Sequence, residues 1–146
     1  MELKVAAKAV IIKNNRALVI TRSREEMDNG EFEGIEIIDL PGGIIEPEER
    51  VEVGLQREVM EETGLRVEII KPVLVSDHFA PNLHIVGILF LCRYADGRVK
   101  LGPEHDGYYW VTVDELKKMD SSSWAVHRVE LAFKEYRNFM RTFTTT

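Results

Sequence analysis

Glu58, Glu61 and Glu62 stand three and four residues apart, a spacing that gathers their carboxylates on one face of a helix. Like charges so placed repel and weaken the helix, so something positive is needed to compensate. A hard divalent cation fits, because Mg²⁺ and Mn²⁺ take carboxylate oxygens and keep several waters. Taken alone, three glutamates read as a solvated acidic face. Their surroundings argue for chemistry: Pro41-Gly42-Gly43 precedes the helix, Glu49 lies between that turn and the helix interior, and Arg57 adjoins Glu58.

Written out, the pattern is Gly43, five residues, Glu49, seven residues, Arg57-Glu58-Val59, one residue, Glu61-Glu62, one residue, then Gly64-Leu65. It resembles the complete Nudix box, and the chain is similar to MutT-like Nudix hydrolases. At an average usage of about 6% per position, chance would match the fixed residues far less than about once in 10⁷ starts. The resemblance implies an α/β (α+β) fold, an α/β/α sandwich with a mixed sheet between helices. It also implies hydrolysis of nucleoside diphosphate derivatives by water attacking phosphorus, assisted by Mg²⁺ or Mn²⁺. By motif position Glu58 and Glu62 are the principal metal ligands, with Glu61 beside them and the Gly42 carbonyl joining. Arg57 orients Glu49 and the other carboxylates. Glu104 is placed to supply a further ligand or the catalytic base, a role left open among Glu49, Glu61 and Glu104. Arg22 and, less so, Arg24 follow the second expected strand, where relatives set a basic residue against substrate phosphate.

Within the family the expected activity is a MutT-like nucleoside triphosphate pyrophosphohydrolase, and the alternative is an ADP-ribose pyrophosphatase. Pro81, sixteen residues after Leu65, resembles the ADP-ribose subgroup, while the absence of extra N-terminal strands counts against it. A different class, a nucleotide-sensing Nudix module without catalysis, predicts erosion at the Arg-Glu and Glu-Glu positions, and here all are intact. Two positions depart from the family pattern. Arg50 stands where a serine or threonine usually caps the helix, at a cost of about 1 kcal/mol. Gly54 stands where alanine is common, and is expected to let the helix approach the sheet.

These residues need elements to hold them. Val51 to Thr63 reads as a helix ended by Gly64. Val5–Lys13 and Ala17–Thr21 read as a hairpin about Asn14-Asn15, and Ile35–Leu40 as a short strand into the Pro-Gly-Gly turn. Leu65–Ile70 and Pro72–Ser76 read as two strands, Leu83–Tyr94 as a long buried strand carrying Cys92, and Tyr108–Val113 as another. Thr112 and Glu115 form a capping-box pattern. Val126, Val129, Phe133, Tyr136 and Met140 mark a closing amphipathic helix. Polar residues Ser23–Glu36 read as an exposed loop placed to act as a lid. His78, Phe79, Pro81, Asn82 and His84 are candidates for a base or ribose pocket. His105 is expected at the surface or behind the ligands, Trp110 in the core, and Cys92 as a small buried apolar residue.

The 146 residues suit a single domain over 1–146. Nineteen basic against twenty-five acidic side chains leave −6, which argues against a nucleic-acid polymer and for a small nucleotide shielded by metal. One cysteine, no signal-peptide core at Met1-Glu2-Leu3-Lys4 and no apolar run near the roughly 20 residues a bilayer needs point to a cytoplasmic protein without membrane contact. Monomer and homodimer remain equally open.

Overall fold

A computed structural model describes residues 1–23 and 36–144. Arg24 and the body of the expected lid lie outside the described residues. Seven strands form one mixed sheet: β1 (Glu2–Lys13), β2 (Arg16–Ser23), β3 (Glu36–Asp39), β4 (Gly42–Ile44), β5 (Arg66–Ala80), β6 (Leu83–Asp96) and β7 (Gly107–Val111). The order is β3-β2-β1-β6-β5, with β4 pairing β1 and β7 pairing β2. β1 and β2 turn about Asn14 and Asn15, at φ 51° and 61°, left-handed values that asparagine tolerates and that match strand twist. β1 runs parallel to β6 from Glu2↔Leu83 to Ile12↔Arg93, the contact that makes the sheet mixed.

Alternation along β1 sends Ala7, Ala9 and Ile11 to one face and Val10 and Ile12 to the other, and all are buried. Helix α1 (Val51–Thr63) lays Leu55 and Val59 on the first face, against Phe90 and Cys92. Helices α2 (Val113–Asp120) and α3 (Trp124–Thr144) cover the second with Leu116, Val126, Val129 and Ala132. The result is the expected α/β/α sandwich. α2 starts with the expected capping box: Glu115 N–H donates to Thr112 Oγ1 at 3.1 Å, and Thr112 N–H to the Glu115 carboxylate at 2.8 Å. Cys92 is fully buried and its thiol is pushed up to about 12 by that burial, as suits an inert packing residue. Among the described residues no helix is long and apolar enough to cross a membrane.

One expectation is corrected. The segments read as separate strands are one continuous strand, β5, whose pairing with β6 slips at Arg66/Val67, Ile69/Lys71 and Pro72/Leu74. Bulges absorb the proline and the broken alternation without ending the strand. The candidates for a base or ribose pocket lie at and beside the tip of the β5–β6 hairpin. Pro81 and Asn82 are its two turn residues, with Asn82 at φ 58°, and Phe79 stacks on His84 with ring centroids 4.4 Å apart. His78 of that group lines a cavity.

Candidate functional site

Helix α1 buries Leu55, Val59 and Thr63, which leaves the adjoining flank for Glu58 and Glu62 and turns Glu61 outward. Its start has no side-chain cap on Arg50, as the sequence implies. Its end is closed by Gly64 at φ 73°, whose N–H meets Met60 O at 2.9 Å. Two further carbonyls of the last turn are capped from outside: Lys100 N–H donates to Thr63 O at 2.8 Å and Gly102 N–H to Glu62 O at 3.1 Å. Those bonds moor the loop between β6 and β7 on the helix end, and the same loop delivers Glu104 and His105 to the site.

The Pro41-Gly42-Gly43 turn lies beneath the glutamates. Gly42 N–H donates to Glu62 Oε1 at 2.7 Å. Gly42 is at φ 141°, and a Cβ there would fall on the backbone oxygen of Ala7. A Cβ on Gly43 would meet only the Glu58 carboxylate, 2.7 Å away. The two glycines therefore serve different ends, which gives a testable contrast. Gly42→Ala is expected to destabilise the fold by about 2–3 kcal/mol through backbone strain, readable as a lowered Tm. Gly43→Ala is expected to keep Tm within a few degrees while displacing Glu58 and cutting activity. Equal Tm losses in both would refute that division.

Arg57 is the hub. Its Nε and Nη2 hold Glu49 at 2.8 and 3.0 Å, and its Nη1 reaches Glu58 at 3.1 Å and Glu61 at 3.4 Å. The Arg57 guanidinium, helped by Glu46 N–H, holds the Glu49 carboxyl down to about 2. Gly54 is correspondingly explained differently from expectation. A Cβ there would sit 2.6 Å from Glu49 Oε1 and from Ile45 Cδ1, so the missing side chain makes room for the Glu49 carboxylate rather than for the sheet.

Packing brings in Asp39 and Lys8, which the sequence reading did not name, and sets His105 behind Glu62, one of the two places expected for it. Asp39, at the end of β3, accepts from Lys8 Nζ at 3.1 Å and from Leu40 N–H at 2.8 Å on Oδ1. Its Oδ2 faces His105 Nε2 at 3.3 Å. Burial raises the Asp39 pKa, but the His105 and Lys8 contacts outweigh it and the net shift is downward. His105, whose side chain is 7% exposed, is buried between Asp39 and Glu62 rather than lying at the surface. Glu62 is pushed upward by burial, against the Gly42 N–H and the Lys8 charge. The sequence signal for Asp39 is a carboxylate two residues before the Pro-Gly-Gly turn; for Lys8 there is none.

Glu104 itself is exposed and, with Arg22, Asp39, His105 and Trp124, lines a cavity of about 140 Å³. Trp124, at the start of α3, also walls a second cavity of about 440 Å³ with Lys8, His78 and Arg128. The expected phosphate residue Arg22 thus stands beside Glu104, while Trp110 packs half-buried against the α1-side core as expected.

A model of the Nudix domain matches residues 2–129. A MutT-like protein of Streptomyces ambofaciens is 32% identical over 85% of this chain and 73% of its own length. An ADP-ribose pyrophosphatase of Methanocaldococcus jannaschii is 32% identical over 79% of this chain and 65% of its own. A nucleoside triphosphatase of Escherichia coli is 31% identical over 75% of this chain and 83% of its own. The crystal structure of a MutT protein from Methanosarcina mazei superposes with a TM-score of 0.70 at 26% identity, covering 93% of this chain and 94% of that one. With the box, the sandwich and these likenesses in agreement, the chain belongs to the Nudix family of hydrolases, which act on phosphoanhydride bonds.

Proposed function

We propose that residues 1–146 form one catalytic domain, a MutT-like pyrophosphohydrolase that splits a nucleoside triphosphate into a monophosphate and pyrophosphate. The observation that carries this is the convergence of Glu58 and Glu62 on the Gly42-Gly43 turn, with Arg22 and the Trp124 ring facing cavities next to it. The donor set fits a hard divalent cation, since carboxylates of like charge crowd one backbone turn and Arg57 alone among the described basic residues bonds three of them. Glu58, Glu61, Glu62 and the Gly42 carbonyl would hold Mg²⁺ or Mn²⁺. When bound, such a cation neutralises phosphate charge and makes water nucleophilic at neutral pH.

The chain's own residues do the rest. Arg22 sets its guanidinium against a substrate phosphate. Trp124 offers a ring face to the base. Arg57 positions Glu49, Glu58 and Glu61 and touches no substrate. Glu49 has both oxygens bonded and an acidic pKa, so it is a poor base, which leaves Glu61 and Glu104, both exposed, to take the proton of the attacking water. A cytoplasmic setting suits this substrate and the lone buried Cys92.

The relative named as an ADP-ribose pyrophosphatase favours a second reading, cleavage of ADP-ribose at the same site. One experiment separates them: anion-exchange analysis of products after incubation with Mg²⁺ and nucleoside triphosphates, oxidised deoxynucleotides or ADP-ribose. Monophosphate and pyrophosphate from a triphosphate support the proposal. AMP from ADP-ribose, with triphosphates intact, replaces it. No cleavage of any of them, with the protein folded and binding metal, points to a sensing module.

A further inference from the structure

We propose that His105 Nδ1 is a nitrogen ligand of the divalent cation held by Glu62, so that this centre is a mixed nitrogen and oxygen site that takes transition ions in preference to Mg²⁺. The inference rests on the reading of Glu62 as a metal ligand and extends it to a residue outside the box. Asp39 Oδ1 is already filled by Lys8 Nζ and Leu40 N–H. Its Oδ2 faces His105 Nε2 at 3.3 Å, and an ionised carboxylate only accepts, so Nε2 carries the hydrogen. Nδ1 is then left pointing at Glu62 Oε2, 3.6 Å away, beyond hydrogen-bond range. It is buried and has no hydrogen-bond partner among the described residues. Glu62 Oε1 is spent on Gly42 N–H, so Oε2 is the oxygen that remains.

A buried lone pair facing a carboxylate oxygen is repulsive unless a proton or a metal cation lies between them, and only the metal gives a nitrogen coupling. Neighbouring donors of an octahedral ion at about 2.1 Å stand about 3.0 Å apart, and the observed 3.6 Å gap leaves room for an ion between the two atoms. The line Asp39, His105, ion, Glu62 is the carboxylate–histidine–metal arrangement, in which the outer carboxylate fixes the ring and raises its basicity. Asp39 acts from behind the imidazole, and Lys8 neutralises its other oxygen. An imidazole donor suits Fe²⁺, Zn²⁺ and later transition ions, whereas Mg²⁺ keeps to oxygen, and Mn²⁺ serves as the paramagnetic probe of the nitrogen.

Pulsed electron paramagnetic resonance on the full chain loaded with one equivalent of Mn²⁺ tests this directly. The expected result is the nitrogen coupling of a bound imidazole in the wild type and its loss in His105→Asn. The same substitution should weaken Mn²⁺ binding by about tenfold or more, with Mg²⁺ affinity changed less than about threefold, both by titration calorimetry. Asp39→Asn, which leaves His105 in place, should weaken Mn²⁺ in the same direction. Mn²⁺ bound without nitrogen coupling in the wild type, or coupling that survives in His105→Asn, overturns the proposal and leaves the carboxylate site standing. No Mn²⁺ binding by the wild type overturns both.

Discussion

Glu58→Gln is expected to lower kcat by about 10³-fold, with Tm unchanged within a few degrees. Glutamine keeps the shape of the side chain, and its carbonyl still accepts from Arg57 Nη1, which lies 3.1 Å from the native carboxylate. The half-buried position over Gly43 loses no packing. What disappears is one negative charge from the set proposed to hold the cation. Metal assistance supplies several kcal/mol of transition-state stabilisation, and about 4 kcal/mol corresponds to about 10³ in rate. Assays at saturating Mg²⁺ separate weakened binding from lost chemistry, because higher Mg²⁺ restores only the former. Glu52→Gln, an exposed acid in the first turn of the same helix, is the matched control and should be silent. Activity of Glu58→Gln within tenfold of wild type at saturating Mg²⁺ would remove Glu58 from the proposed ligand set.

The box was legible because its residues lie on one helix and one adjoining turn, where spacing translates directly into geometry. The sandwich was legible for a similar reason: alternation in β1 and helical periodicity in α3 each identify a buried face locally. What spacing does not encode is the meeting of separate elements. Lys8 and Asp39 come from β1 and β3 and meet across the sheet, and His105 reaches them from the loop before β7, which Lys100, Gly102 and Asp106 N–H groups hold on the α1 end and on β2. A residue one place along, Glu104, has the chemical type a sequence reader favours, yet docking turns its neighbour His105 inward. The split of β5 into two strands fails for a related reason. Proline and broken alternation signal an end in isolation, but the long pairing with β6 tolerates them as bulges. Gly54 shows the same limit at the scale of one atom: a small residue was expected to serve helix–sheet approach, and it serves the Glu49 carboxylate.

Arg57→Lys is expected to lower kcat by about 10²-fold, the scale of loss when catalytic groups shift by about 1 Å. Lysine keeps the charge, so a field effect alone predicts almost no change. The guanidinium, however, is a fork: Nε and Nη2 grip both oxygens of Glu49 while Nη1 spans Glu58 and Glu61. A single ammonium cannot hold those positions together, so Glu58 and Glu61 lose their fixed placement while the cation count stays the same. The titration of Glu49 reports this independently of turnover. In the wild type its carboxyl is held at about 2, against an ordinary value near 4.5. A carboxyl whose folded pKa is depressed stabilises the fold fully above its unfolded value and loses that contribution as pH falls towards the folded one. The Arg57–Glu49 contribution is therefore complete above about pH 4.5 and disappears on descending to about pH 2. In Arg57→Lys the carboxyl should titrate closer to its ordinary value. The stability difference between the two proteins should be greatest above pH 4.5 and vanish near pH 2. Carbon-detected nuclear magnetic resonance of the Glu49 carboxyl, read beside kcat, decides the matter. A kcat within about threefold of wild type, or an unchanged Glu49 titration, would mean that charge rather than the fork is what Arg57 contributes.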